Sequence, residues 1–129
     1  SPEREERDRN LMGPYYSDEL LDLQVRIGEW SRTKGFFMTN HNKTERKLLL
    51  IVGEISEAHE EIRAGRSPNA LYSEQTESGL KPCGFGVELA DALIRILELS
   101  EGLGLNIAEL VALKMEYNDK SPFLHGKKF

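Results

Sequence analysis

An all-α fold, built as a small antiparallel four-helix bundle, follows from three observations on this sequence. Apolar residues recur at three- and four-residue spacing in four separate stretches; capping residues or glycines bound those stretches; and no segment alternates apolar and polar residues over a useful length. At 129 residues the chain is long enough for one domain with a core and too short for two of ordinary size. Its composition, 39% hydrophobic and 30% charged, is that of a soluble globular protein.

The opening segment, Ser1–Gly13, strings together Glu3, Arg4, Glu5, Glu6, Arg7, Asp8 and Arg9 with almost nothing to bury. It reads as a flexible charged arm ahead of a helical domain spanning residues 14–129. Ser17 is a plausible N-cap, and Leu20, Leu23, Ile27 and Trp30 then mark the apolar face of a first helix that stops at Gly35. A loop through Asn40 and Asn42 leads to Thr44, where a second helix starts. Its stripe is Leu48, Ile51, Ile55, Ala58 and Ile62, ending at Ala64-Gly65. From Arg66 to Gly84 the chain is broken by Pro68, Gly79, Pro82 and Gly84 without any period, which predicts a long connection. A third helix over Phe85–Glu101 turns Leu89, Leu93, Ile96 and Leu97 to the core and ends at Gly102–Gly104. Asn106 with Glu109 three residues on is a capping-box-like start for a fourth, Ile107 to about Tyr117, with Leu110, Leu113 and Tyr117 as its buried face. The tail Asn118–Phe129 is turn-rich and basic.

Charge and cysteine content narrow the function. A net charge of −5 and a pI near 5.3 argue against general binding to nucleic acid or to a membrane surface, both of which need a positive field. Cys83 is the single cysteine, so an internal disulfide and a thiolate-rich zinc site are both excluded. No apolar run approaches the roughly 20 residues of a membrane span, and the N-terminal string has no signal-peptide core; a cytoplasmic location fits best.

The chemistry is concentrated in two acidic motifs, Glu54-Ile55-Ser56-Glu57 and Glu88-Leu89-Ala90-Asp91. Residues three apart share a helical face, so each motif aims two carboxylates in one direction, at a cost of roughly 0.2–0.5 kcal/mol per like-charge pair in an isolated helix. A hard divalent cation such as Mg2+ would reverse that sign and bring phosphate-bearing ligands with it. Glu54, Glu57 and Glu61 lie beside the apolar stripe, on a side shared with Leu50 and Gly53. On the third helix Glu88, Asp91, Arg95 and Glu98 form a polar face that solvent alone would also satisfy. The three histidines, His41, His59 and His125, show no metal spacing with a carboxylate; His59 falls on the apolar side of its helix, as a core or interface residue would. Trp30, Phe36 and Phe37 are core candidates that could alternatively stack on a base. Gly84-Phe85-Gly86 and Gly102-Leu103-Gly104 are helix punctuation, lacking the rest of a phosphate-loop motif.

Taken together, Val52-Gly53-Glu54-Ile55-Ser56-Glu57-Ala58-His59-Glu60, Glu88-Leu89-Ala90-Asp91-Ala92-Leu93-Ile94, Lys114-Met115-Glu116-Tyr117-Asn118 and the ending His125-Gly126-Lys127-Lys128-Phe129 resemble the MazG-type all-α nucleoside triphosphate pyrophosphohydrolases, from about Leu20 to the C-terminus. The resemblance implies hydrolysis of an NTP or dNTP to the monophosphate and pyrophosphate with Mg2+, Mn2+ being a possible substitute, by a homodimer or homotetramer that sanitises or shapes the nucleotide pool. By motif, Glu54, Glu57, Glu88 and Asp91 would be the catalytic metal ligands, Lys114 and Asn118 would contact the nucleotide, and Lys127 and Lys128 the phosphates. Glu60 and Glu61 correspond to an extra acid of variable role. The connection between Glu57 and Glu88 is longer than is usual in the family, so its contents cannot be mapped from it. A phosphoribosyl-ATP pyrophosphohydrolase and a non-catalytic helical interaction protein are the competing readings.

Overall fold

The computed structural model describes residues 1–4, 12–35 and 43–122. The remainder of the charged arm, Phe36, Phe37, His41 and the tail with Lys127 and Lys128 lie outside the described residues. The described chain is mostly helical. Beyond one helical turn at residues 2–4 it contains α1 (Asp18–Thr33), α2 (Thr44–Arg63), β1 (Tyr72–Thr76), β2 (Gly79–Cys83), α3 (Phe85–Gly102) and α4 (Ile107–Lys120).

Local chemistry starts the helices where the sequence marks them. The Ser17 hydroxyl accepts from the Leu20 N–H at 3.2 Å, with Asp18 and Glu19 in the first turn of α1 complementing its dipole. The Asn106 side chain accepts from the Glu109 N–H at 3.1 Å and so caps α4. Gln24, almost fully buried, joins three elements. Its amide donates to Glu101 (2.9 Å) and to the Leu105 carbonyl (2.7 Å), and its oxygen accepts from the first N–H of α4 at Ile107 (3.1 Å). That N–H is one of the helix-end donors without an intrahelical partner.

The connection between α2 and α3 is not the aperiodic loop the sequence suggests. β1 and β2 pair antiparallel with Tyr72 opposite Cys83 and Glu74 opposite Lys81, closed by a turn at Glu77-Ser78. Thr76 secures the turn, its hydroxyl donating to the Gly79 carbonyl at 2.7 Å and accepting from the Ser78 N–H at 3.2 Å. Apolar alternation is missing because both faces of the hairpin are solvent-exposed except at its base, where Tyr72 is half-buried and Cys83 buried. Alternation appears only when one face is buried.

A second difference concerns which helix faces are covered. α3 packs against α1, α2 and β2, and α4 packs against α1. The buried side chains are mostly small or polar: Ala58, Cys83, Ala92, Ala108 and Ala112 beside Leu97, together with Gln24, Ser31, Lys47, Glu98 and Ser100. Of the stripes expected to form the core, Ala58 and Leu97 are buried and Leu20, Ile27 and Ile51 half-buried, but the rest is exposed, with Ile55 at 49% and Leu93 at 46%; Leu23, Leu48, Ile62, Leu89, Ile96, Leu110, Leu113 and Tyr117 behave likewise. His59, expected in a core or interface, is exposed on the α2 stripe. Conversely, the polar face of α3 that solvent could have satisfied is turned inward: Glu98 is only 7% exposed. Periodicity locates an amphipathic boundary but does not say which side finds its cover within one chain.

Candidate metal centre and adjoining cavity

Two adjacent helices bring the acidic motifs together. α2 carries Glu54 and Glu57 one turn apart, and α3 carries Glu88 in its first turn. The start of α3 is fixed by Gly84, whose φ of 135° is in the region that favours glycine and whose carbonyl accepts from the Glu88 N–H at 3.1 Å. A β-carbon at Gly84 would run into the Ala70 carbonyl oxygen, so the backbone just ahead of β1 passes close against the start of α3.

One oxygen each from Glu54, Glu57 and Glu88 lie within 4.8 Å of one another. Asp91, one turn beyond Glu88, is outside that triplet and lines the cavity with Glu54. The electrostatics are those of crowded acids. Burial, then the carboxylates of Glu57 and Glu54, push the Glu88 carboxyl up from 4.5 to about 7. Burial and the charge of Glu54 also raise Asp91, against the lowering influence of Arg95 and Lys81. Glu88 Oε2 is sealed from solvent, and with all three groups ionised nothing donates to it. Carboxylates are acceptors only, so such a cluster needs either a shared proton or a cation between its members. Three carboxylates with oxygens this close, one of them carrying a sealed, partnerless oxygen, suit Mg2+ or Mn2+ by chemistry.

A cavity of about 490 Å³ adjoins the cluster. It is lined by the acids Glu54, Asp91 and Glu98 and by the bases Lys43, Arg46, Lys47 and Arg95, both helices contributing to each set; Trp30, Leu50 and Ile94 supply apolar surface. Trp30, expected in the core, is 47% exposed and faces this space. Within the lining, Lys47 of α2 forms a buried ion pair with Glu98 of α3, and Ser31 of α1 donates to the second Glu98 oxygen at 2.8 Å. Arg95 Nε donates to Glu54 Oε1 at 2.9 Å. None of these partners is close in sequence, although Lys43, Lys47, Leu50 and Glu54 do share one side of α2.

The remaining motif residues are placed elsewhere. Glu61, one turn after Glu57, anchors the hairpin, accepting from the Tyr72 hydroxyl (2.6 Å) and from Arg66 (3.2 Å). The hydrogen bond to Glu61 pushes Tyr72 up to about 12. Glu60 pairs with Arg63 on the surface. Lys114 and Asn118 are exposed on α4 and not on the cavity wall. Lys114 rests over the Tyr117 ring at 4.8 Å, and the Asn118 amide points to Met115 Sδ at 3.9 Å. Among the described residues no helix is long and apolar enough to cross a membrane. No protein-family profile, curated protein or solved structure matches the chain.

Proposed function

We propose that this chain is a metal-dependent nucleoside triphosphate pyrophosphohydrolase of the MazG type, converting an NTP or dNTP to the monophosphate and pyrophosphate in the cytoplasmic nucleotide pool. The observation that carries this reading is the convergence of the Glu54, Glu57 and Glu88 carboxylates, one of which has a sealed oxygen without a donor, beside a cavity lined by both acids and bases. Phosphate chemistry asks for both charges, since a triphosphate must be neutralised while it is held. Glu54, Glu57 and Glu88 would hold the cation, with Asp91 one turn on. A divalent ion bound there supplies positive charge for phosphate oxygens and acidifies a water. Lys43 and Arg46 offer the charge that holds the polyphosphate, Trp30 a face for the base, and the apolar wall of Leu50 and Ile94 excludes water from the nucleoside side.

The helices of such an enzyme form an antiparallel four-helix bundle completed by a second copy, as a homodimer or homotetramer. The exposed stripes Leu48, Val52 and Ile55 of α2 and Leu89, Leu93 and Ile96 of α3 support that assembly, because contiguous apolar surface of this kind marks an interface. Lys114, Asn118, Lys127 and Lys128 would then reach the nucleotide of this or the neighbouring copy. The test is a hydrolysis panel over the common NTPs and dNTPs, run with Mg2+, with Mn2+ and with chelator. Turnover of at least one nucleotide that chelator abolishes is expected. No turnover of any with either ion would remove the reading.

A further inference from the structure

Arg95 holds an unusual position: it lines the cavity, yet its bond is to one of the clustered acids. Its Nε–H occupies Glu54 Oε1 at 2.9 Å, while Glu54 also offers an oxygen to the triplet with Glu57 and Glu88. The Glu54 side chain is 12% exposed and that of Arg95 35%, so the pair sits at the junction of cluster and cavity. A guanidinium has five N–H donors, and this ion pair uses one of them. The remaining donors border the same space as Lys43 and Arg46, which make no ion pair or side-chain hydrogen bond among the described residues. That rim is also the start of α2, where no side chain caps the helix and the first N–H groups favour negative charge.

Building on the metal-dependent reading above, we propose that Arg95 is an internal stand-in cation: it neutralises Glu54 while the cluster holds no metal, and joins Lys43 and Arg46 on the substrate's phosphates once Glu54 turns to the metal. The charge count supports an exchange. Lys47 is committed to Glu98 and Arg95 to Glu54, which leaves Lys43 and Arg46 as the lining cations with no ion pair among the described residues. Releasing Arg95 adds one planar, bidentate phosphate donor to those lining cations at the moment the metal centre is complete. Metal loading and anion binding are thereby coupled through one side chain, each favouring the other, whereas Arg95 itself acts in opposite senses on the two ligands. An arginine that competes with the metal weakens metal binding, and the same arginine strengthens phosphate binding.

The experiment uses two probes, Mn2+ alone and tripolyphosphate, on four proteins: wild type, Arg95→Met, Glu54→Ala and the double variant. Calorimetry supplies the dissociation constants and circular dichroism confirms the fold. Arg95→Met is expected to bind Mn2+ on the order of fivefold tighter than wild type and, with Mn2+ present, tripolyphosphate on the order of tenfold weaker. Without metal, Glu54→Ala is expected to bind tripolyphosphate on the order of fivefold tighter than wild type, and the double variant to lose that gain. An unchanged Mn2+ constant in Arg95→Met, or a metal-free gain that survives in the double variant, overturns the proposal. If wild type binds no Mn2+, the metal-dependent function fails instead, and the metal-free arm still decides the role of Arg95. Should the methionine variant not fold, Arg95→Gln takes its place.

Discussion

Replacing Glu88 by glutamine should make the metal-free protein more stable above neutral pH and flatten its pH dependence. In the unfolded chain this carboxyl titrates near 4.5, whereas in the folded cluster it is held up at about 7. Between those values the native protein binds more protons than the unfolded chain, so stability is highest at the acid end and falls as pH rises through 7. At about 1.4 kcal/mol per pH unit, the gap sets a ceiling of roughly 3 kcal/mol. Glu88 is half-buried, and the proton is shared with Glu54 and Glu57, so about half that ceiling is the expected loss. For a domain of this size it corresponds to a fall in Tm of roughly 5–10 °C. The Glu88→Gln amide carries no charge and can donate to the neighbouring carboxylates, which removes this contribution. The assay is a set of melting curves in chelator at several values between pH 5 and pH 8 for both proteins. Wild type should lose Tm relative to the variant as pH rises, and excess Mg2+ should restore wild type alone. Parallel curves for the two proteins over this range would refute the reasoning.

Three further outcomes follow from the same structure. Lys47→Met leaves Glu98 buried without its cation and should cost about 3–5 kcal/mol in denaturant unfolding, most of which Lys47→Met with Glu98→Leu should restore. Gly84→Ala meets both a backbone conformation that costs on the order of 1–3 kcal/mol and the Ala70 carbonyl; it should lower the denaturation midpoint and weaken Mn2+ binding together, since it shifts the turn that carries Glu88. Leu93→Glu, on the exposed stripe of α3, should yield a smaller particle than wild type in light scattering while helical content is kept.

What the sequence revealed was local. Ser17 and Asn106 were legible because an N-cap is a contact between residues three apart, and the four long helices start where their caps and spacings put them. The two acidic motifs were legible for the same reason: a three-residue spacing is enough to aim Glu54 with Glu57 in one direction. The structure adds that Glu88 meets them while Asp91 stays one turn outside. The hairpin was hidden because Glu74, Gln75 and Lys81 face solvent and leave no alternation to detect. Lys47–Glu98 and Arg95–Glu54 join residues 51 and 41 positions apart, a separation at which spacing carries no signal. The stripes on α2 and α3 are correctly periodic. Ile55 and Leu93 are nevertheless exposed, because periodicity marks an apolar face without saying what packs on it.

The most direct test of the proposed activity is phosphorus NMR of a nucleoside triphosphate incubated with the protein and Mg2+. The account predicts that the triphosphate resonances give way to nucleoside monophosphate and pyrophosphate in equal amounts, and that chelator, or Glu88→Gln, stops the conversion. Release of orthophosphate with a nucleoside diphosphate, or an unchanged spectrum for every common NTP and dNTP, would contradict it.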